Sequence, residues 1–346
     1  MNFALSDEQQ LLRESARGAL SRVKTVEAAR TSLEDSASLP DLWQLAVQAG
    51  WPGLLIGDRH GGAELGGFDA LLVAEECGRV LAGVPLLGLL PASAILDAAG
   101  DESLVQVAAG ELRPTYLPAR PPSELRSEWT VDPVSGLERA AAPRATVDGG
   151  DVTLDGTVSW VPDAPGADLL VAVGVSGSGG DAKPVACVLE AGADGVSIEP
   201  VMRYDATRSL GHVALDGARG RRLDVDAAVL ADAWYLAQAL IAAESIGAAE
   251  TCKEMAVAYA KERYTFGRPI GSYQAIKHEL TEVLRRLENA RALEYYAGWA
   301  REARPDEFAL AASAARGAAG GALDFAARSC INVHGGIGAT WEHDAP

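Results

Sequence analysis

Hydrophobic and polar positions change their spacing twice along the chain. Over residues 1–112 apolar side chains recur every three or four positions, which predicts helices. Over residues 113–225 apolar and polar residues alternate between Gly and Asp turns, which predicts antiparallel strands. Helical spacing returns over residues 226–346. Because helices and strands are segregated rather than interleaved, the pattern predicts an α+β fold of three segments: an N-terminal helical domain, a middle antiparallel β domain and a C-terminal helical bundle.

Several local signals set the expected limits of these elements. Ser6 is the predicted N-cap of the first helix, and Gln9 stands where a capping box places its Glu or Gln. Pro85 and Pro91 are expected to mark helix ends. The run SGSGGD at 176–181 predicts a hairpin tip or surface loop rather than a domain linker.

The C-terminal third predicts three long helices with one conspicuous break. Apolar-rich helical patterns cover 227–260, 275–304 and 305–332. Between the first two, the loop Phe266-Gly267-Arg268-Pro269-Ile270-Gly271 contains residues that a continuous helix disfavours. Arg263 and Arg268 flank its turn, and a guanidinium can bind two phosphate oxygens at once. The alternatives are an arginine that only balances a helix dipole and an ordinary helix–helix connection.

Composition and charge narrow the function classes. The 346 residues are 48% hydrophobic and 23% charged, which is typical of globular proteins, and the formal net charge is −18. Such an acidic chain argues against nucleic acid or an anionic membrane as the main partner. The first residues show no basic n-region followed by an apolar h-region, and no apolar run reaches about 18 residues, so we expect no signal peptide and no membrane span. The four scattered cysteines indicate reduced core thiols of a cytoplasmic protein, with no metal site.

A second glycine-rich stretch, HGGIG at 334–338, follows the last predicted helix. Its glycines would let backbone N–H groups approach an anion, although a helix C-cap explains them equally simply. The five histidines are isolated in sequence, and no Ser/His/Asp or Cys/His set has a local signature.

These stretches together resemble the acyl-CoA dehydrogenase family. AYAKERYTFGRPIGSYQAIKHEL is similar to that family's Y-x-x-x-R-x-x-F-G-x-P-I-x-x-x-Q segment, and CINVHGGIGATWEHD is similar to its Q-x-x-GG-x-G segment. LSDEQQLLRESAR, GWPGLLIGDRHGGAELGGFDALLVAEECGR and LDGTVSWVPDAPGADLLVAVG match in order, so the resemblance covers nearly the whole chain.

The resemblance implies an FAD-dependent oxidoreductase that removes hydrogens from Cα and Cβ of an acyl-CoA thioester. A carboxylate takes the α-proton and the flavin accepts the β-hydride. In that family the loop and the GG segment reach the FAD of a neighbouring subunit. Carried over by position, the cofactor-binding residues are Arg263, Phe266, Gln274, Asn332, Val333, His334, Gly335, Gly336 and, on the strand that covers the flavin, Trp160.

The chain departs from the family pattern at three places. No copy of the TEPxxGSD segment lies between Leu112 and Arg144. Trp160 is kept, but Pro162 stands where the family has a residue that donates to the flavin. The catalytic glutamate position falls on Ala237, and the family's other location lies beyond Pro346, where that family continues with further helix. Glu244 and Glu342 are weak substitutes, so the catalytic residue is left unassigned.

These departures favour a partner subunit of a heteromeric, actinobacterial-type enzyme. We expect an α2β2 assembly with a second acyl-CoA dehydrogenase subunit, a sterol side-chain CoA thioester as a substrate suggested by the resemblance, and electron-transferring flavoprotein as electron acceptor. Two alternatives stay open: a self-sufficient homotetrameric dehydrogenase, and a scaffold subunit with no cofactor role.

Overall fold

The structure is a computed structural model that describes residues 4–32, 34–35, 38–117, 128–131, 139–178, 181–201, 205 and 207–346. Its helices are α1 (Asp7–Leu20), α2 (Thr25–Ser32), α3 (Trp43–Gln48), α4 (Gly67–Arg79), α5 (Leu86–Ala99), α6 (Leu104–Ala108), α7 (Ala227–Glu262), α8 (Gln274–Ala303) and α9 (Pro305–His334). Its strands are β1 (Pro114–Tyr116), β2 (Glu128–Val131), β3 (Arg139–Ala141), β4 (Arg144–Asp148), β5 (Asp151–Pro162), β6 (Leu169–Ser176), β7 (Lys183–Glu190), β8 (Val196–Pro200), β9 (Leu210–Leu223), β10 (Tyr264–Thr265) and β11 (Arg268–Pro269). The predicted order of helical, β and helical segments is confirmed.

The chain forms two compact units, and each unit is built from segments that are not contiguous in sequence. Unit 1 comprises Met1–Ala28, Gly67–Ala82 and Gln238–Pro346, and unit 2 comprises Ala29–Gly66 and Gly83–Ala237. The three domain boundaries expected from the sequence, 1–112, 113–225 and 226–346, stay a prediction.

Unit 1 has an alanine-rich helical core. Small side chains on α7, α8 and α9 pack together, among them Ala249, Ala290 and Ala315, which are fully buried. Helices α4 and α7 approach so closely that a Cβ added to Gly78 would lie 2.0 Å from the carbonyl oxygen of Glu244. Short side chains are therefore required wherever these long helices cross, which explains the alanine-rich composition of the C-terminal third.

The predicted capping box of α1 is present. Ser6 Oγ accepts a hydrogen bond from the Gln9 backbone N–H at 3.2 Å, and Gln9 Oε1 accepts one from the Ser6 N–H at 3.0 Å. The helix then buries Ala16 and Leu20 and exposes most of its other face.

Unit 2 contains a sheet that closes on itself within the described residues. Its strand order is β1-β6-β4-β5-β9-β7, β8 pairs with β9, and β6 also pairs with β7, which completes a ring. The inward-facing residues of β5, β6 and β9, such as Leu154, Leu170 and Val213, form its core. The β6–β7 pairing from Ser176 to Lys183 confirms the hairpin predicted at 176–181.

Two sequence expectations about helices need adjustment. Pro91 does not end a helix: it is the sixth residue of α5, where it is fully buried among apolar side chains and the helix continues to Ala99. Burial of α5 on all sides outweighs the loss of one helical hydrogen bond at Pro91. In addition, α7 contains an 18-residue stretch that is apolar enough to cross a membrane. Half of that stretch is buried inside the protein, as in the core helix of a globular domain.

Candidate functional site

The break between α7 and α8 is a tight β-hairpin. Tyr264 pairs with Pro269 and Thr265 with Arg268, which leaves Phe266 and Gly267 as the two turn residues. Both turn residues have positive φ, 52° for Phe266 and 80° for Gly267, as a type I′ turn requires. Glycine adopts this conformation freely, whereas phenylalanine does so at a cost of about 1–2 kcal/mol. The loop thus holds an aromatic residue in an unfavourable conformation at its tip.

Contacts from the following turn fix the shape of the hairpin. The Tyr273 hydroxyl donates to the Thr265 carbonyl oxygen at 2.9 Å, and the Arg268 guanidinium lies 4.0 Å from the centre of the Tyr273 ring. At the base, the Ile270 N–H donates to the Arg263 carbonyl oxygen at 2.7 Å. The hairpin is therefore ordered by its own backbone and one tyrosine, with almost no burial.

The side chains predicted to bind a cofactor project from this frame into solvent. Phe266 is 94% exposed, and Arg263 and Gln274 are also exposed. In the part of the chain that the structure describes, the Arg263 guanidinium has no hydrogen bond or ion pair, and the Gln274 amide nitrogen contacts only His278 Nε2, at 3.4 Å. Residues 261–278 carry four basic side chains and one acidic one, although the whole chain has a net charge of −18. The surface offers donors for an anion.

The GG segment begins at the C-terminal end of α9. Gly335 is the C-cap, with φ 65° and ψ −137°, and its N–H bonds the carbonyl oxygens of Asn332 and Ile331. That backbone conformation is accessible to glycine almost alone, so the C-cap explanation of Gly335 holds. Asn332, Gly335 and Gly336 are exposed, and a Cβ on Gly336 would meet open space.

Two residues of this segment face inward. Val333 is buried, and His334 is buried between Tyr259, stacked at 4.4 Å, and His343, also at 4.4 Å between ring centres. The His334 Nδ1 lies 2.7 Å from the carbonyl oxygen of Cys330. Any contact of Val333 or His334 with a ligand is thus restricted to their backbone atoms.

The structure joins the hairpin and the GG segment through one hydrophobic cluster in unit 1. Cys330 and Val333 of α9 pack there with Tyr259 of α7, Ile270 of the loop and Ile276 of α8. The hairpin and the GG segment, which are more than fifty residues apart in sequence, are therefore held on the same hydrophobic cluster.

Trp160 lies in unit 2, where β5 is irregular. The pairing of β5 with β9 shifts register between Val158 and Val161, and Trp160 in the bulge has φ 60°. Its ring meets His212 edge-on at 5.1 Å, and its Nε1 is buried without a hydrogen-bond partner among the described residues. Pro162 has no N–H to offer, and its carbonyl oxygen already accepts from Thr115 Oγ1 at 2.7 Å.

The residue after Pro162 is a buried carboxylate. Asp163 is 2% exposed, with φ 60°, and its Oδ2 lies 3.8 Å from the Arg208 guanidinium. Burial raises the pKa of Asp163, and the positive charges of Arg208 and Arg113 oppose this. In the sequence, the only sign of Asp163 is a polar residue directly after the Trp-Val-Pro end of a predicted strand, which does not by itself indicate a buried carboxylate.

None of the positions considered for the catalytic base forms a recognisable acid–base site. Ala237 on α7 has no functional group. Glu244 is half-buried on the face of α7 whose backbone packs against Gly78. Glu342 is exposed near the end of the chain. The TEPxxGSD position falls largely within residues 118–127 and 132–138, outside the described residues.

Unit 1 also contains a buried acidic side chain, Glu294, next to a network of ion pairs. Arg291 of α8 binds Glu75 at 3.1 Å and Glu250 at 3.0 Å. Glu294, one turn further on, is fully buried, and neither of its carboxylate oxygens has a hydrogen-bond partner among the described residues. Burial first, and then the charge of Glu75, raise the pKa of Glu294 well above its ordinary value. Its spacing from Arg291 is that of any polar pair on a helix, so local sequence carries no sign of this burial.

Comparison with known proteins decides the family. The acyl-CoA dehydrogenase N-terminal domain model matches residues 6–119, and the acyl-CoA dehydrogenase C-terminal domain model matches residues 229–346. Acyl-CoA dehydrogenase IpdE2 of Mycolicibacterium smegmatis is 30% identical over 342 residues, which is 98% of this chain and 90% of the relative. This chain belongs to the acyl-CoA dehydrogenase family. Members of this family are FAD-dependent oxidoreductases, so FAD is the cofactor expected at the site.

Two solved structures share the fold. The Tcur3481-Tcur3483 steroid ACAD, in a variant form, is 27% identical with a TM-score of 0.83, covering 98% of this chain and 90% of its own. The ChsE4-ChsE5 complex from Mycobacterium tuberculosis is 22% identical with a TM-score of 0.82, covering 100% and 91%. At 22% identity, the similarity to the ChsE4-ChsE5 complex shows a shared fold and nothing further.

The residues of unit 1 fit the phosphate end of such a cofactor. An exposed arginine without a partner in the described chain and glycines with open space above them are suited to a pyrophosphate. The fit is poorer at Pro162, which cannot donate a hydrogen bond to a flavin ring.

Proposed function

We propose that this chain is a subunit of a heteromeric FAD-dependent acyl-CoA dehydrogenase and completes an FAD site held mainly by a partner subunit. It would contribute Arg263, Phe266, Gln274 and the exposed part of Asn332–Gly336. The partner would contribute the carboxylate that removes the α-proton of the acyl-CoA thioester. The family assignment supports the reaction class, and the division of labour is the proposal.

One observation carries the proposal: the hairpin is ordered, yet its functional side chains contact almost nothing in their own chain. Arg263 is exposed without a partner among the described residues, and Phe266 is 94% exposed in a strained conformation. A strained residue persists only when the surrounding structure requires it. Since the described residues of unit 1 leave the Phe266 ring 94% exposed, a contact outside the chain is the physical reason to keep it.

Each group has a defined role at the pyrophosphate and adenosine end. The planar Arg263 guanidinium can donate two parallel hydrogen bonds to phosphate oxygens. The Gln274 and Asn332 amides can donate to or accept from neighbouring polar atoms, and the Gly336 backbone leaves room for close approach. FAD, when bound, supplies the hydride acceptor. The exposed Phe266 ring would cover apolar surface and exclude water from the arginine–phosphate contact.

The assignment of the base to the partner follows from what α7 lacks. Ala237 occupies the position that the family resemblance gives to a catalytic glutamate. Glu244 sits at a helix crossing whose geometry is dictated by Gly78, so its position serves packing. An α2β2 assembly of two related subunits would bring one catalytic carboxylate to each FAD.

The substrate and the acceptor are also proposals. A steroid-derived acyl-CoA and an assembly of two different subunits are favoured because the 27% identical solved structure is the Tcur3481-Tcur3483 steroid ACAD. Electron-transferring flavoprotein is proposed as electron acceptor from the family resemblance. A cytoplasmic location is proposed because the four cysteines are free thiols.

The decisive experiment counts FAD in the purified chain and in complexes with related subunits co-expressed from the same genome. We expect little FAD in the chain alone and one FAD for each pair of subunits in the complex. Arg263→Ala should then lower the FAD content of the complex at least tenfold at limiting cofactor, because a charge-assisted contact contributes about 1.5–3 kcal/mol. Arg22→Ala, which removes an exposed arginine just after α1, is the matched control and should leave FAD content unchanged.

The two alternatives predict other outcomes. A self-sufficient homotetramer would contain one FAD per chain without any partner, and its activity would fall when Glu244 is replaced by Gln. A scaffold subunit would leave the FAD content of the complex unchanged in Arg263→Ala. Either result would overturn the proposed division of labour.

A further inference from the structure

Two of the four cysteines, distant in sequence, meet in unit 1. Cys252 of α7 and Cys330 of α9 pack in the same hydrophobic cluster beneath the hairpin, close enough for each thiol to shift the pKa of the other. Both are free thiols in the structure. Because 77 residues separate this pair and no spacing rule links them, the sequence alone predicts only scattered cysteines.

The surroundings give the two thiols different roles. Cys330 is fully buried and lies 3.7 Å from His334 Nδ1, which is itself directed to the Cys330 carbonyl oxygen at 2.7 Å. Cys252 is only half-buried, so a small solute can reach it first. The neighbouring Cys330 thiol lowers the pKa of Cys252, whereas the Cys252 thiol and burial raise the pKa of Cys330. Cys252 is the thiol better placed to become the nucleophilic thiolate.

Metal binding is the other chemistry that paired thiols suggest. A zinc site would need about four ligands, of which at least three come from the protein. In the described residues no group of three or more His, Cys, Asp or Glu side chains is placed to hold a metal ion. The ring nitrogen of His334 nearest to Cys330 is engaged with a backbone carbonyl. The pair is therefore better suited to oxidation than to metal ligation.

We propose that Cys252 and Cys330 form a redox-active dithiol that closes to an intramolecular disulfide when the protein meets a peroxide. Cys252 gives up its proton to solvent, the thiolate sulfur attacks one oxygen of hydrogen peroxide and the O–O bond breaks. The departing hydroxide takes up a proton and leaves as water, and Cys252 is left as a sulfenic acid. The Cys330 sulfur then attacks the Cys252 sulfur, its proton leaves with the sulfenic hydroxyl as a second water, and the S–S bond forms. Overall, two thiols are oxidised by two electrons and one peroxide is reduced to two waters.

The position of this pair gives the modification a structural consequence. Cys252 lies three turns before Arg263 on α7, and Cys330 lies two residues before Asn332 on α9. A disulfide would join the two helices that present the hairpin and the GG segment. The inference does not depend on the proposed function, because the thiol pair and its oxidation concern this chain alone.

The test uses the full chain, with any co-purified partner, treated with a modest excess of hydrogen peroxide. The product is then denatured in iodoacetamide and examined by intact mass and by a non-reducing peptide map. We expect a loss of two mass units, two alkylated cysteines and one cross-linked peptide pair containing Cys252 and Cys330. Cys77 and Cys187 are internal controls: both are fully buried, and burial raises the pKa of Cys187 to about 12, so both should be alkylated only after denaturation.

Variants separate this result from non-specific oxidation. Cys252→Ala should abolish the two-mass-unit loss, and Cys330→Ala should leave a sulfenic acid on Cys252 that dimedone traps. The proposal is overturned if peroxide-treated protein retains four alkylatable cysteines, if the cross-link joins different chains, or if Cys252 proceeds to sulfinic acid in the wild type without any cross-link. The wild-type peptide map decides the matter even if a variant does not fold.

Discussion

The hairpin at Phe266 and the bulge at Trp160 both contain strained backbone, but the first is exposed to solvent and the second is enclosed by packing. Both hold residues other than glycine at positive φ: Phe266 at 52°, Trp160 at 60° and Asp163 at 60°. The bulge and the residues directly after it are enclosed by their own unit, because Val161 is fully buried and Asp163 is 2% exposed. In the hairpin, Phe266 is 94% exposed and only a tyrosine braces the turn.

The difference shows where each strained conformation obtains its compensation. In the bulge, packing and hydrogen bonds of unit 2 offset the backbone cost of about 1–3 kcal/mol for each strained residue. In the hairpin the chain itself supplies little, so the compensation is expected from a ligand or another subunit. Stability measurements on this chain should therefore respond to changes in the bulge, and assembly or cofactor measurements should respond to changes in the hairpin.

The largest effect is expected at Asp163. Asp163→Ala would remove the buried carboxylate that faces the Arg208 guanidinium at 3.8 Å, and the Arg208 side chain is only 12% exposed, whereas Arg113 would keep its ion pair with Asp41 at 3.2 Å. We expect the free energy of unfolding to fall by about 3 kcal/mol, because breaking a buried ion pair leaves an uncompensated charge. Urea denaturation followed by tryptophan fluorescence measures this. Asp163→Asn, which keeps the shape and tolerates positive φ, should lose less than half as much; equal losses would show that the charge is irrelevant.

A matched pair of aromatic truncations compares the two regions directly. Trp160→Ala should cost about 2 kcal/mol of unfolding free energy, below the value for a core tryptophan because Trp160 is only half-buried. Phe266→Ala should change the stability of the purified chain by less than about 0.5 kcal/mol, since an exposed side chain loses few contacts. In the complex with the partner subunit, by contrast, Phe266→Ala should clearly lower the amount of bound FAD. A Phe266→Ala variant as unstable as Trp160→Ala would refute the comparison.

Unit 1 contains its own costly buried group, away from the hairpin. Glu294 is fully buried with Glu75 of α4 and Arg291 of α8 as its charged neighbours, and its folded-state pKa is raised. An acid with a raised folded-state pKa contributes stability that is complete below its unfolded pKa, near 4.3, and is lost as pH rises through the folded value. Wild-type stability should thus decline with rising pH over that window, by up to about 1.4 kcal/mol per pH unit.

Substitution of Glu294 tests the sign of this dependence. Glu294→Gln should flatten the decline, because an amide does not titrate, and should gain about 1 kcal/mol at pH 7, where the wild type has already lost part of its stability. Chemical denaturation at pH 5, 6, 7 and 8 provides the measurement. Glu282→Gln is the control: Arg285 and Arg286 lower the pKa of Glu282 to about 2, so its removal should leave the slope above pH 5 unchanged. An unchanged slope in Glu294→Gln would show that Glu294 does not titrate there.

The two regions also differ in how far the sequence could predict them. The helical period, the capping box at Ser6 and the break after α7 follow from local rules, and the structure confirms them. The hairpin motif was recognisable because its residues are contiguous and unusual in a helical context. The burial of Glu294 and Asp163 and the meeting of Cys252 with Cys330 depend on contacts between distant elements, for which local spacing carries no information. Pro91 was misplaced for the same reason: tertiary burial of α5 overrides a local helix-breaking preference.

The smallest predicted effect isolates the strain of the hairpin. Phe266→Gly removes a positive-φ cost of about 1–2 kcal/mol, and the greater chain entropy of glycine in the unfolded state offsets about half to one kcal/mol of this gain. We therefore expect the purified chain to become more stable by about 0.5 kcal/mol, measured by urea denaturation with replicate curves.

Thr265→Gly is the control for that substitution. Thr265 lies in the short strand β10 next to the turn, where glycine relieves no positive φ and should destabilise by about 0.5–1 kcal/mol. The complex provides the second measurement, because Phe266→Gly should retain less FAD although the isolated chain has become more stable. A gain in stability together with a loss of cofactor would identify Phe266 as a residue kept for contacts outside its own chain. A loss of stability in Phe266→Gly would mean instead that the exposed ring supports unit 1, and the contrast with the bulge would not hold.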